Sequence, residues 1–523
     1  MRTHRRFIFL SILAILGCVN AAQDKLAAGL AALKAGNLNQ AVALLQDAAR
    51  EDPGSFKAQM GLGNAFLMTR QYDKAIASLE KAREIDPANT GAGSNLAAAY
   101  SLAGKPQKSI EIYKSILQRE PTNAEMYSNL AVIYQSIGEY DNALKTYDRA
   151  ISIKASEPRY YMNKGKVYLS TNRPSMAMEL FEQALKTDPN YGPGYVALGT
   201  AYLNDAKYDK AQECFLTAIK HDPDSWEAQG NLGLANEMQG KIDQAIYHYG
   251  LAIKLNPNED KYLENLGAAY MKKGDVDLAL LNYRQCVARH PNSSRAHGGL
   301  GLALLKNKQY YDAIRELQMA SDMDSTSLLY LNGLGAAYSA LEKWDGAQDC
   351  FQRVLAIDAE NIEARLQLGI LNFRQGRYQQ AEKYLRGVVA ISPPDAEAHY
   401  YLGMIDLQKN DPDAAGREFG ELAALVKNDA RAYFGLGLVY VKKADLQQAL
   451  QQFNQAIKYD EKNLDARWEL GKIYESTGDK DAAYNEFKKI LLIDANYRLK
   501  EPIKKKLLLF REQGVKDDEW QNF

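Results

Sequence analysis

A period of 34 residues runs through almost the whole chain and leaves little freedom in what it can fold into. Pro53, Pro87, Pro121, Pro189, Pro223, Pro257, Pro291 and Pro393 are separated by 34 residues or multiples of 34, and ten residues after each stands a small one: Gly63, Ala97, Ala131, Gly199, Gly233, Gly267, Gly301 and Gly403. The same register adds Gly29, Gly165, Gly335, Gly369, Gly437 and Gly471, so fourteen successive repeats carry Gly or Ala at one position, which we number 8. They run from Ala22 to Tyr497 without insertion or deletion, and at position 20 thirteen of them carry Ala, Ser109 being the exception. Such a period decides architecture before local propensity does, because each repeat is one supersecondary element that must stack on its neighbours. The usual division of a 523-residue chain into about three globular domains therefore does not apply.

At about 100° per residue, positions 4, 7, 8 and 11 share one helical face. Position 7 is Leu in twelve repeats and position 11 is Tyr in eight (Tyr100, Tyr134, Tyr168, Tyr202, Tyr270, Tyr338, Tyr440, Tyr474). Position 8 has to be small because a neighbouring helix crosses there. Positions 20, 24 and 27 repeat this logic on a second helix as small, aromatic, small, with position 24 aromatic in ten repeats, which accounts for much of an excess of 33 Tyr over 14 Phe. Position 15 is Gly in seven repeats, as a left-handed helix end prefers, and Pro at position 32 closes the second helix. Each repeat is thus predicted to be a helical hairpin with two apolar sides. Leu499, Ile503, Leu507 and Phe510 are spaced by four, four and three residues and predict a capping helix. The predicted organisation is a leader over 1–21, fourteen repeats over 22–497, and a capping helix with a polar tail over 498–523.

This pattern of Leu-Gly, Tyr, Ala, aromatic, Ala and Pro in fixed register closely resembles the tetratricopeptide repeat, over positions 22 to 497. The resemblance implies an all-α, right-handed superhelical solenoid whose first helices line a concave groove that binds other proteins, as peptide or amphipathic helix.

The N-terminus reads as an export signal. Arg2, Arg5 and Arg6 precede an apolar run from Phe7 to Gly17, followed by small residues at Ala21 and Ala22. The run is about a dozen residues, where a spanning helix needs about twenty. Two cuts fit. Val19-Asn20-Ala21 suits a general signal peptidase and would leave Ala22 first, whereas Ile15-Leu16-Gly17-Cys18 resembles a bacterial lipobox, in which Cys18 is acylated and tethers the chain to a membrane. Either cut places the mature chain outside the cytoplasm, in the periplasm, at the outer membrane or secreted.

Catalytic chemistry is not apparent. Five His beyond the leader are scattered without metal-ligand spacing, no phosphate-cradling Gly loop occurs, and Cys214, Cys286 and Cys350 lie in separate repeats. No cofactor, metal or catalytic residue is expected. A net charge of -1, from 64 basic and 65 acidic residues, argues against a nucleic-acid surface over the whole protein.

Positions 2, 5, 6, 9, 12 and 13 point away from the packing face on a helical wheel and are expected to be free of structural demands. Two rows stand out there. Position 6 carries Asn95, Asn129, Asn163, Asn231 and Asn265, interrupted by Ala197. A carboxamide both donates and accepts, so such a row suits an extended peptide backbone, and it is similar to the asparagine ladder in the repeat arm of O-linked N-acetylglucosamine transferases. The 26 residues after Tyr497 are too few for that enzyme's catalytic domain. The second row is apolar: Leu366, Tyr400, Phe434 and Trp468 at position 5, with Ile370, Met404 and Leu438 at position 9 and Phe373, Leu407 and Val441 at position 12. It reads as a docking face for an apolar partner segment, as packing between first helices, or as a face covered by the chain's own C-terminal helix. A carboxylate clamp of the co-chaperone kind is weakly suggested by Asn64 and Asn95, but Met60 and Glu125 stand where lysines would be needed.

Overall fold

The computed structural model describes residues 22–515. The expected leader with Cys18, and residues 516–523, lie outside the described residues. Among the described residues all regular structure is helical, and the helices keep the repeat register throughout. From the second repeat onward, first helices begin at position 1 (Phe56–Met68, Thr90–Leu102, and so on to Leu464–Ser476) and second helices span positions 17 to 30 (Tyr72–Ile85, Pro106–Arg119, to Lys480–Ile493). The described residues divide into two compact units on either side of a boundary between Ala269 and Tyr270, inside the helix Asp260–Lys273. Each unit is an all-α repeat solenoid.

Local sequence explains the helix ends. Ser55, Asn89, Asn123, Ser225, Ser293, Asn361, Asp395 and Asn463, at position 34, accept a hydrogen bond from the backbone N–H three residues on and cap the next repeat's first helix. Position 15 is left-handed in every repeat. The seven glycines have φ of 71–94°, and the other seven residues, Arg70, Asn172, Ala206, Lys308, Glu342, Asn410 and Ala444, are held at 54–60°.

The small residue at position 8 is explained by the residue at position 24 of the same hairpin. A Cβ on Gly165 would lie 2.5 Å from Phe181, on Gly403 2.8 Å from Phe419, and on Gly471 2.5 Å from Phe487. Those rings are fully buried, as are Tyr147, Phe215 and Tyr249 at the same position. Position 24 also meets position 6 of the following repeat: a Cβ on Gly435 would lie 2.5 Å from Phe419, and Gly61 and Gly333 meet Leu45 and Leu317. One side chain per hairpin therefore fills the joint within a repeat and the joint to the next. Ser109, alone at position 20, is fully buried with its hydroxyl unpartnered.

Polar residues at position 4 are tied down. His297 Nδ1 lies 2.7 Å from a carboxylate oxygen of Glu316 and its Nε2 3.0 Å from the Pro291 carbonyl; His399 meets Glu418 and Pro393 at 2.7 and 2.9 Å; Arg467 donates to Glu486 at 2.8 Å and to the Glu461 carbonyl at 3.1 Å. The same joint in the N-terminal unit is neutral, with Gln229 Oε1 2.8 Å from His248 and Gln59 donating to the Pro53 carbonyl at 3.4 Å. These contacts link position 4 to position 23 of its own repeat and to the turn before it.

Within each unit, first helices of successive repeats touch one another, as Gly192–Asn204 touches both Pro158–Ser170 and Trp226–Met238, and second helices do not to the same extent. The first helices therefore form the inner side of each stack. At the C-terminus the helix Lys500–Glu512 buries Ile503, Leu507 and Phe510, with Phe510 stacked 6.3 Å from Phe487.

Candidate binding faces of the first helices

The expectation that positions 5 and 6 are free of structural demands does not hold. A wheel drawn for one helix omits the neighbouring repeat, and position 6 is where that neighbour crosses. All five asparagines are half-buried. Asn95 donates to Asn64 Oδ1 at 2.7 Å, and Asn231 to Thr200 Oγ1 at 3.3 Å, each partner standing at position 9 of the preceding repeat. Asn265 hydrogen-bonds the hydroxyl of Tyr249, which itself donates to Glu237 at 2.7 Å; burial foremost, then Glu237, pushes that phenol above its ordinary range. The carboxamides of Asn129 and Asn163 meet no hydrogen-bond partner among the described residues. The row therefore keeps hydrogen-bonding capacity: both groups of Asn129 and Asn163, and the side-chain oxygens of Asn95 and Asn231.

A cavity of about 350 Å³ opens on this face in the N-terminal unit. Ala197, the interruption in the asparagine row, lines it together with Thr200, Asn231 and apolar groups from Met162 to Tyr262. Burial raises the Tyr262 phenol, and that ring fits against Gly230, where any Cβ would collide with it. Tyr330 sits against Gly298 in the same way in the C-terminal unit.

The apolar row of the C-terminal unit is largely drawn into its own hairpins. Tyr400 lies 6.3 Å from Phe419, Phe434 5.9 Å from Phe453 and Trp468 5.2 Å from Phe487, in each case position 5 against position 24 of the same repeat. Leu366 is 8% exposed, whereas Phe373, Tyr400, Phe434 and Trp468 remain half-buried with part of each ring open. Phe373 also contacts Tyr401, at 5.2 Å, a position-6 aromatic that sequence reasoning passed over. Arg431 sits 5.1 Å over the Tyr400 ring while pairing with Glu397 and Asp429, and burial raises the Tyr400 phenol.

Sequence reasoning also missed the position-4 joints and the Tyr-on-Gly fits. The fits had a signal: Tyr262 with Gly230 and Tyr330 with Gly298 share a spacing of 32 residues. Among the described residues no group of three or more His, Cys, Asp or Glu is placed to hold a metal ion, and no helix is long and apolar enough to cross a membrane. Cys214, Cys286 and Cys350 are buried, and burial pushes the thiols of Cys214 and Cys350 up to about 11.

Family models described as tetratricopeptide repeats match residues 26–90, 122–190, 196–260, 265–327, 338–405, 372–437, 439–478 and 464–497. A comparison with curated proteins finds no match. Among solved structures the chain is similar to one of the APC/C hetero-tetramer Cut9-Hcn1, at 16% identity and a TM-score of 0.43, covering 87% of this chain and 96% of that one. It is also similar to a tetratricopeptide repeat protein from Parabacteroides merdae (19%, TM-score 0.39, 47% and 98%) and to yeast Tom70 (16%, TM-score 0.35, 75% and 96%).

Proposed function

The chain belongs to the tetratricopeptide repeat family, and on that premise we propose that it is an exported bacterial scaffold that binds other proteins along its first helices and serves assembly or secretion in the cell envelope. The observation that carries this reading is the half-buried asparagine row of the N-terminal unit with its unused donors and acceptors. The unpartnered amides are open to solvent, and an extended backbone offers alternating N–H and C=O groups that can replace water at them. The open parts of Phe373, Tyr400, Phe434 and Trp468 offer a second, apolar contact for an amphipathic helix.

Export rests on the leader, with Cys18 as the tether if the lipobox is the cut that is used. The mature N-terminus, measured by mass spectrometry, separates an acylated Cys18 from a free Ala22, and an unprocessed Met1 would sink the export reading. For binding, photo-crosslinking in envelope preparations should yield a discrete partner with the native chain and lose it with Asn129→Ala plus Asn163→Ala; crosslinks indifferent to that pair count against the asparagine row. A second reading, a spacer that only sets distance, is supported by the ring stacking that draws position 5 into the hairpins. It predicts that deleting two whole repeats disturbs assembly while substitutions on the inner face do not.

A further inference from the structure

We infer that the cavity beside Ala197 is a specificity pocket that receives one bulky apolar side chain of an extended peptide segment from a partner protein. This rests on the reading of the asparagine row as a peptide track and adds to it what that track would select.

Repeats 3, 4, 5, 7 and 8 place a carboxamide at position 6, and repeat 6 alone in that run places a methyl group there. Where the amide is missing, Ala197 lines a hollow of about 350 Å³. Its walls are Met162, Phe181, Val196, Trp226 and Tyr262, an aliphatic and aromatic surface. A cavity of about 150 Å³ is enough to hold a benzene, so a bulky apolar side chain fits this one by size. Charge does not select the occupant. Lys166 and Lys261 at the lining are matched by Glu227 and Glu259, so the site favours a neutral group over an anion or a cation.

The flanks point to a peptide rather than a free small molecule. Asn163 stands one repeat before Ala197 with both amide groups unused, and Asn231, itself at the cavity wall, stands one repeat after Ala197 with its oxygen unused. Packed helices lie about 10 Å apart, so two repeats correspond to about 20 Å, which about six extended residues span at roughly 3.3 Å each. Successive side chains of an extended segment alternate faces. A residue near the middle of such a span, with its backbone held by Asn163 and Asn231, would direct its side chain toward Ala197.

Phage-displayed random peptides of about twelve residues, roughly twice that span, are the probe, panned on the full chain. The expected outcome is enrichment of sequences with one bulky apolar residue between polar ones. Each such peptide should lose about tenfold or more in affinity for Ala197→Asn, which puts a polar amide on the pocket wall, and for Ala197→Leu, which narrows the pocket. Five other repeats carry Asn at position 6, so the Asn variant keeps the fold, and an unchanged melting profile checks this. Peptides that bind both Ala197 variants as well as the native chain, yet are lost with Asn163→Ala plus Asn231→Ala, overturn the pocket and leave the track standing. Peptides sensitive to Ala197 but indifferent to both asparagines keep the pocket and overturn the track. No enrichment at all overturns both.

Discussion

In the N-terminal unit Asn95, Asn231 and Asn265 at position 6 hydrogen-bond the repeat before them, whereas in the C-terminal unit Tyr400, Phe434 and Trp468 at position 5 make ring contacts inside their own repeats. Position 4 shows the same division. At the joint from position 4 to position 23, Gln229 meets His248 in the first unit, while His297, His399 and Arg467 meet the carboxylates of Glu316, Glu418 and Glu486 in the second. An amide that bonds its neighbour through one end keeps the other end available, but a ring stacked on the ring beneath it keeps only its outer part. One repeat geometry therefore yields a face with hydrogen bonds to offer and a face whose apolar groups mostly hold the hairpins together.

The sharpest way to break this contrast is to remove a joint from each unit. Arg467→Ala deletes three hydrogen bonds and leaves Glu486 with Lys489 alone. A cost of about 3 kcal/mol is expected, against about 1 kcal/mol for Gln229→Ala, whose loss strands no charge. Repeat arrays need not unfold as one step, so hydrogen exchange localised to 464–493 and to 226–255 is the measurement, and equal effects would erase the distinction. Next in size is Trp468→Ala, expected to cost about 2–3 kcal/mol because the indole is half-buried against Phe487. If Trp468 served only to dock a partner, the same protection assay would show almost no change.

The register was legible because one contact, position 8 under position 24, recurs in nearly every hairpin and forces the same pair of residue types each time. Turns were legible at Gly36 or Gly104 but not at Arg70 or Glu342, whose side chains give no sign of a left-handed backbone. The inner faces were only half legible. The sequence marks Asn95 and Trp468 as off the packing face of their own helix, yet Asn64 and Phe487, which engage them, belong to another repeat and another helix. The cavity at Ala197 could be noticed as a gap in a row, but its walls come from four repeats and appear only on stacking.

A smaller effect tests whether buried charge in the C-terminal unit is always matched. Asp406 occupies position 11, is 3% exposed, and has a carboxylate oxygen without a partner. Burial raises its carboxyl above the ordinary range, with Arg386 pulling the other way. A raised folded-state value means that the carboxyl favours folding at acid pH and loses that contribution as pH rises through the folded value. Asp406→Asn should therefore stabilise the unit by about 1 kcal/mol at neutral pH, with the gain vanishing below roughly pH 4, where the unfolded carboxyl is also protonated. Asn372, at the same position one repeat earlier, shows that an amide fits, donating to the Leu368 carbonyl at 2.7 Å. Chemical denaturation of both chains at neutral and acid pH decides it, and a loss of stability at neutral pH would mean that Arg386 already compensates the charge.

The smallest effect expected is one that should not distinguish the units at all. The left-handed turn at position 15 lies between the two helices of a hairpin, away from both inner rows, and Ala206 and Ala444 adopt it at φ of 54° and 58°. An L-residue with a Cβ is strained there, and glycine is not, although glycine also loosens the unfolded chain. The balance favours Ala206→Gly and Ala444→Gly by about 0.5–1 kcal/mol each. Because the strain is local to one turn, the two gains should agree, and thermal unfolding of each variant measures them. A gain in one unit only would show that the difference between the units reaches the turns, and the contrast would then belong to whole hairpins rather than to the side chains on their inner helices.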